Sequence, residues 1–479
     1  MKNARLIIVL LAIVAAVVLV VTHVSVHFSV NVQPNDKEAG AKNNGGMTNE
    51  DAAAEFQLGM ACLDAKNFVE GIKLIREAAD RNYVPAQFNL GVCYGQGIGV
   101  SRDYAQAEVW LRKAAEQNDT EAENNLGDLY EHGEGVRQNL TTALEWYRKA
   151  ADQGNSLGEV NVGECYDKGW GVTPDKALAA QWYRKAAEQN VVLAQYNLAA
   201  FYFNGQGVAQ DYKQAVEWFR KAADQGFAPA QFDLGSCYDN GQGVVADPAE
   251  AAKWYRKAAE QNNPSAENML GNCYSLGVGV EANQVEAAKW YRRAAEQNYA
   301  EAQYNLGVSY RHGEGVVTND VEAVKWYRKA AEQDNADGEL GLAVCYDNGH
   351  GVPVDHVVAA QWYRKAADHG NAEAQYNLGV SYLDGEGVGK NEVEAVKWLT
   401  KSAEQGYADA ENDLGVCFGA GRGVKPDYVQ AYKWFKLASM QGSVDAEDNA
   451  RKTIGMLTPP QITNAERMVR EFKPVEEKD

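Results

Sequence analysis

Apolar residues in this chain fall in two alternating stripes, and the pair of stripes returns every 36 residues. In one copy the second stripe is Ala215, Trp218, Phe219, Ala222 and Ala223, spaced i, i+3, i+4, i+7 and i+8. The first stripe of the next copy is Ala230, Leu234, Cys237 and Tyr238. Polar residues fill the positions between, so each stripe is the buried face of an amphipathic helix. The spacing predicts a B helix over Tyr212–Gln225 and an A helix over Pro229–Asn240. The Trp of the second stripe recurs at 110, 146, 182, 218, 254, 290, 326, 362, 398 and 434 without a slip. A fixed period of about 20 to 50 residues marks an array of stacked units, each touching only its neighbours.

The punctuation between stripes agrees with helical hairpins. Gly235 interrupts an A helix, where it costs about 1 kcal/mol relative to Ala. Its equivalents are all Gly except Ala199 and Ala343, which predicts a close helix–helix contact at this slot. Gly241 and its equivalents stand where a left-handed residue ends a helix. Seven residues before each Trp comes Asp or Asn: Asp103, Asn139, Asp175, Asp211, Asp247, Asn283, Asn319, Asp355, Asn391 and Asp427. These read as N-caps of the B helices. Glu or Gln three residues later (Gln106, Gln214, Glu250, Glu286, Glu322, Glu394, Gln430) predicts a reciprocal capping box. The recurrent carboxylates are thereby assigned to caps rather than to acid–base chemistry.

The two ends differ from the array. Residues 1–5 carry Lys2 and Arg5 ahead of an apolar run, and 6–22 reads as a transmembrane signal anchor with the basic side cytoplasmic. A cleaved signal followed by secretion is the second reading. Val24–Val32 alternates with period two, as a strand does, inside a linker over 23–50. Repeats occupy 51–442, and the first lacks both the Gly-x-Gly-Val loop and the Trp, as a capping unit does. Residues 443–479 read as two capping helices and a charged tail, with Thr458 as an N-cap before Pro459.

Composition narrows the function classes. The formal charge of −20 repels phosphate backbones and excludes a nucleic-acid partner. Six of the seven cysteines share one slot with Leu129, Phe201, Ser309 and Ser381, so they read as small packing residues rather than disulfide partners. No nucleophile motif, zinc-binding helix or phosphate loop is present, and no cofactor is expected. His350, His356 and His369 fall on a loop, a helix start and a helix end, so no metal site is expected among them.

L-G-x-x-Y in helix A, then G-x-G-V, then A-x-x-W-[YF]-R-K-A-A-[ED]-Q-[NG] in helix B resembles the Sel-one-like repeat family, a relative of the tetratricopeptide repeat. Cys237-Tyr238, Gly241 to Val244 and Ala215 to Gly226 carry the match in one copy, and eleven units over 51–442 repeat it. The resemblance implies an all-α fold: a right-handed superhelical solenoid of about eleven 36-residue helical hairpins plus C-terminal capping helices. The apolar 6–22 adds one N-terminal transmembrane helix. It further implies an adaptor that holds proteins together, not an enzyme. Set beside the apolar N-terminus, this gives a membrane-tethered scaffold facing the periplasm or another extracytoplasmic space.

In such a solenoid the inner concave face comes from helix A, and three slots around its Gly vary between copies. Three residues before Gly stand Asn124, Tyr196, Phe232, Asn268, Tyr304 and Tyr376; one after it, Asp128, Glu164 and Asn272. Four after it stand Glu131, Asp167, Phe203, Asp239 and Arg311. These residues are the expected partner-binding groove, polar and acidic in the third and fourth units. Trp170 is the one Trp off the period and is a candidate contact anchor. Protein partners are the first expectation, a cell-wall glycan or exopolysaccharide the second, and a cell-wall enzyme of β-lactamase type the third.

Overall fold

The computed structural model describes residues 49–475. The expected cytoplasmic N-terminus, signal anchor, strand and nearly all of the linker lie outside the described residues, as does the end of the tail. Among the described residues no helix is long and apolar enough to cross a membrane.

The described residues form 24 α-helices and no strand. They divide into two compact units, one ending at Asp247 and the other beginning at Pro248. In the first unit the hairpins run from Asn49–Asp64 to Ala228–Asn240; in the second the helices run from Pro248–Glu260 to Pro459–Glu471. Each repeat is an A helix, a glycine loop and a B helix, as in Thr120–His132 followed by Leu140–Asp152. Ala122, Leu126 and Leu129 from A and Ala143, Tyr147 and Ala150 from B are almost entirely buried. Burial of these stripes is what stabilises helices that would be too short to persist alone.

The close contact expected at the A-helix Gly is present, and its partner is the aromatic that follows the Trp. A Cβ on Gly127 would lie 2.5 Å from the Tyr147 ring, and one on Gly163 would lie 2.7 Å from the Tyr183 ring. The two loop glycines have different reasons. Gly205 takes φ +68° and closes the A helix through its N–H to Phe201 O. Gly207 also has positive φ, and a Cβ there would come within 2.1 Å of Lys176 O in the preceding hairpin. Left-handed geometry and a backbone contact both demand glycine at that second position.

N-caps stand where the sequence places them: Asp103, Asn139, Asp175, Asp211, Asn283, Asn319, Asp355, Asn391 and Asp427 accept from backbone N–H groups of the B helix. The reciprocal half of the expected box is replaced by another contact. The cap's own N–H donates to the carbonyl of the A-helix tyrosine, as in Asn283 to Tyr274 O at 2.8 Å and Asn319 to Tyr310 O at 2.8 Å. That donor is spent on closing the hairpin, and Glu286, Glu322 and Glu394 turn outward to Lys289, Lys325 and Lys397. A reciprocal box is seen before the last described helix, where Thr458 N–H donates to Gln461 Oε1 at 2.9 Å.

The remaining letters of the repeated sentence join hairpins. Each Arg after the aromatic pair reaches the A-helix tyrosine of the next copy: Arg256 to Tyr274 Oη at 2.6 Å, Arg292 to Tyr310 at 2.6 Å, Arg328 to Tyr346 at 2.7 Å. The following Lys lies over the Trp ring, at 3.6 Å for Lys149 on Trp146. Asn or Gly after the Gln takes positive φ, as Asn118 and Gly154 do, and turns the chain into the next A helix. No disulfide links the cysteines, and burial pushes the thiols of Cys93 and Cys165 up to about 12. Ala450, Ile454 and Ala465 of the terminal helices, with Leu457 between them, cover Ala431, Tyr432 and Phe435.

Candidate functional site

The three variable A-helix slots have different environments. The slot before the glycine faces the neighbouring A helix. Asn124, Tyr196, Phe232 and Asn268 are buried, with 4–6% of their surface exposed, and act in packing rather than as an open surface. Asn161 donates to Asn124 Oδ1 at 2.9 Å and Asn305 donates to Asn268 Oδ1 at 2.9 Å, each from the following copy. Tyr196 packs on Phe219 and Phe227 with ring centroids 5.8 and 5.2 Å away. Tyr304 and Tyr376 are half-buried against Tyr327 and Tyr407. An A helix inside a stack is flanked on two sides, and this slot lies on one of them.

The other two slots are buried in some copies, at Val92, Ala200 and Ser236, and partly exposed in others. In the third and fourth copies they bring four carboxylates to one face. Tyr147 Oη lies 2.7 Å from Asp128 Oδ1 and 2.8 Å from Glu131 Oε2. One hydroxyl proton cannot serve two carboxylates, so the pair is satisfied when one carboxyl keeps its proton. Burial pushes Asp128 up to about 7, making it the group suited to hold that proton. Glu164 is also raised, by burial first and then by Glu131 and Asp167 against the opposing pull of Lys168. Asp167 pairs with Lys176. Trp170 is half-buried in the following loop, with Lys168 Nζ 4.3 Å from its ring centre.

Elsewhere the same slots are occupied by packing or local bonds. Phe203 meets Tyr212 at 5.0 Å and Phe219 at 6.3 Å. Asn272 accepts from Tyr291 Oη at 2.8 Å, and Arg311 lies 4.0 Å from Asp320. Asp239 is half-buried. Only the third and fourth copies place acids in both slots. His356 pairs with Asp347 and His350 approaches Asp320, so those histidines serve separate partners. Among the described residues one group has three potential metal ligands in reach of one another, Asp334, Glu339 and His369.

A feature that the variable-slot comparison missed lies four residues before the Gly. Gln87, Glu123, Glu159, Gln195, Gln231, Glu267, Gln303, Glu339, Gln375 and Glu411 are all buried there. The Gln that ends helix B bonds to this side chain from the same hairpin, as in Gln153 to Glu123 at 2.7 Å and Gln333 to Gln303 at 2.7 Å. The restriction of one position to Gln or Glu was the available signal, since either carries an acceptor for that amide.

Eleven consecutive segments match the Sel1 repeat, over residues 52–83 and then every 36 residues from 84–119 to 408–443. The chain belongs to the Sel1 repeat family. A protective antigen present in uropathogenic Escherichia coli strains, solved as a crystal structure with the same kind of fold, is 37% identical with a TM-score of 0.81. That alignment covers 88% of this chain and 91% of the antigen. The Sel1 repeat protein from Oxalobacter formigenes is 31% identical with a TM-score of 0.52, over 64% of this chain and 89% of that one. A comparison with curated proteins finds no match. Sel1 repeats are stacked helical hairpins, an architecture that typically mediates protein–protein interaction.

Proposed function

We propose that this Sel1 repeat chain is a protein–protein interaction scaffold, and that the A-helix face of residues 120–191 holds an extended basic segment of its partner. One observation carries the reading: Asp128, Glu131, Glu164 and Asp167 share a half-open face, two of them raised by burial that their neighbours do not offset. A lysine or arginine side chain arriving there supplies the missing charge, and Trp170 offers a ring for its stem or guanidinium. Residues 6–22 serve in this reading as the membrane anchor, holding the array on the extracytoplasmic side. Glycan recognition is less favoured, because Tyr196 and Phe232, two aromatic members of the expected groove, are buried and cannot stack on a sugar.

The test is affinity capture from envelope extract with the full chain, beside a variant carrying D128N, E131Q, E164Q and D167N. A defined protein should be retained by the wild type, lost from the variant, and released as salt rises and screens the charges. Capture that the variant leaves intact, or that persists undiminished in high salt, would overturn the acidic-face reading.

A further inference from the structure

One position in the array departs from all its siblings at two residues at once, both in contact with a buried Glu. The turn residue after helix B, the buried A-helix residue four before the Gly, and the last Gln of the next B helix form a recurring trio. It reads Asn82, Gln87, Gln117 in one copy and Asn298, Gln303, Gln333 in another, with Gly in place of Asn or Glu in place of the first Gln elsewhere. In these copies the trio is a neutral chain: Gln333 donates to Gln303 at 2.7 Å, and Gln303 donates to Asn298 at 3.1 Å. In the ninth copy alone the trio becomes Asp334, Glu339 and His369. Asp334 and His369 are both unique to this copy, and with the Glu that several siblings also carry they give three groups that can ligate a metal.

The geometry follows from the hairpin stack. Asp334 holds the left-handed turn at φ 59°, a conformation that Asp tolerates. Glu339 lies on the A helix Ala336–Asn348 and is fully buried. His369 caps the B helix His356–Asp368 and places Nδ1 2.8 Å from Glu339 Oε2. All three lie in the second unit, and one ligand atom from each falls within 4.8 Å of the others. Glu339 Oε1 is buried and has no hydrogen-bond partner. At Glu267 the same oxygen is met by Arg293 at 2.9 Å; at Glu411 it is unbonded, yet there the trio supplies no imidazole and no second carboxylate. Lys365, whose charge acts on Glu339 without bonding it, lies over Trp362 with Nζ 4.3 Å from the ring centre.

We propose that Asp334, Glu339 and His369 form a binding site for a divalent first-row transition ion of the zinc, cobalt and nickel class. The donor set is one imidazole and two carboxylates, a combination these ions accept. Bonds of about 2.0–2.2 Å require the ligand atoms to draw together slightly. The exposed side chains of Asp334 and His369 can rotate to do so, while Glu339 is fixed by packing. The ion would tie the B-helix end of one hairpin to the hairpin that follows, where siblings use amide bonds. The open side of the site leaves its remaining positions to water or to a partner's ligand. This inference is independent of the acidic-face reading, since it concerns other residues in the other unit.

The test uses the full chain without a histidine tag, stripped with EDTA, dialysed, and titrated with Co²⁺ by visible absorption and with Zn²⁺ by competition. One ion should bind per chain with d–d bands in the visible, and Zn²⁺ should displace it. H369Q and D334N restore residues that sibling repeats carry, so both variants should fold. Each should weaken binding by at least ~10-fold, as loss of a direct ligand costs no less than loss of its outer support. Absence of saturable binding in the wild type, or stoichiometric binding unchanged in H369Q, would overturn the site.

Discussion

Glu411 occupies a position where the preceding hairpin carries Gln375, and the two side chains make the same bond to the Gln that ends helix B. The difference is a proton. Burial pushes the Glu411 carboxyl up to about 7, from an ordinary value of 4.5, against the lesser pull of Gln441 and Lys433. The unfolded chain loses this proton near 4.5, while the folded chain keeps it until about 7. The stabilising contribution is therefore complete below the unfolded value and is lost as pH rises through the folded one. Glu411→Gln should melt higher than the wild type at pH 8 and match it near pH 4. Thermal unfolding followed by circular dichroism at the two pH values checks this. Equal melting temperatures at pH 8 would mean that the carboxylate is accommodated without cost. The same substitution at Glu123, also raised to about 7, should behave alike.

At the scale of the helical hairpin, the glycines separate into those that shape one chain segment and those that let two segments touch. Gly154 takes φ +86° with nothing within 4 Å of a would-be Cβ, so Gly154→Ala meets only backbone strain of about 1–2 kcal/mol. Gly207 combines φ +66° with a Cβ position 2.1 Å from Lys176 O. Gly207→Ala must move the preceding B helix as well, for a total of about 2–4 kcal/mol. Urea unfolding of the two variants should place Gly207→Ala well below Gly154→Ala in midpoint. Matching midpoints would show that the loop yields without disturbing its neighbour. The tight loop also explains why the capping box opens: the cap N–H is taken by the A-helix carbonyl that defines the turn.

At the scale of the whole molecule, each hairpin finds its apolar partners in the neighbours, so the last one needs a cover. The helices Val444–Ile454 and Pro459–Glu471 supply it by burying Ala431, Tyr432 and Phe435. Deleting 444–479 should expose these rings, increase binding of a hydrophobic dye, and lower the concentration at which the chain aggregates. A truncated chain that remains monomeric, with unchanged dye binding, would mean that the terminal pair does not act as a cap. The Sel1 family assignment explains the stack but leaves the partner to the surface. Here the surface differs between copies most in charge, acidic at 120–191 and carrying the Asp–Glu–His trio at 334–369.

Helix identity, hairpin length, N-caps and the Gly slot were legible in the sequence because each is governed by local physics. Periodicity of 3.6 selects the buried stripe, Asp or Asn satisfies the first N–H groups, and positive φ selects Gly. The period also specified which copies are neighbours. It did not specify how each helix is rotated about its axis, where one residue is about 100° of turn. That rotation sends Asn124, Tyr196, Phe232 and Asn268 into the seam between A helices and leaves Asp128, Glu131, Glu164 and Asp167 half-open. It likewise brings Asp334, Glu339 and His369 together across 35 residues of chain. Their chemistry was present in the sequence, but convergence depends on the packing of one hairpin against the next, which only the tertiary structure decides.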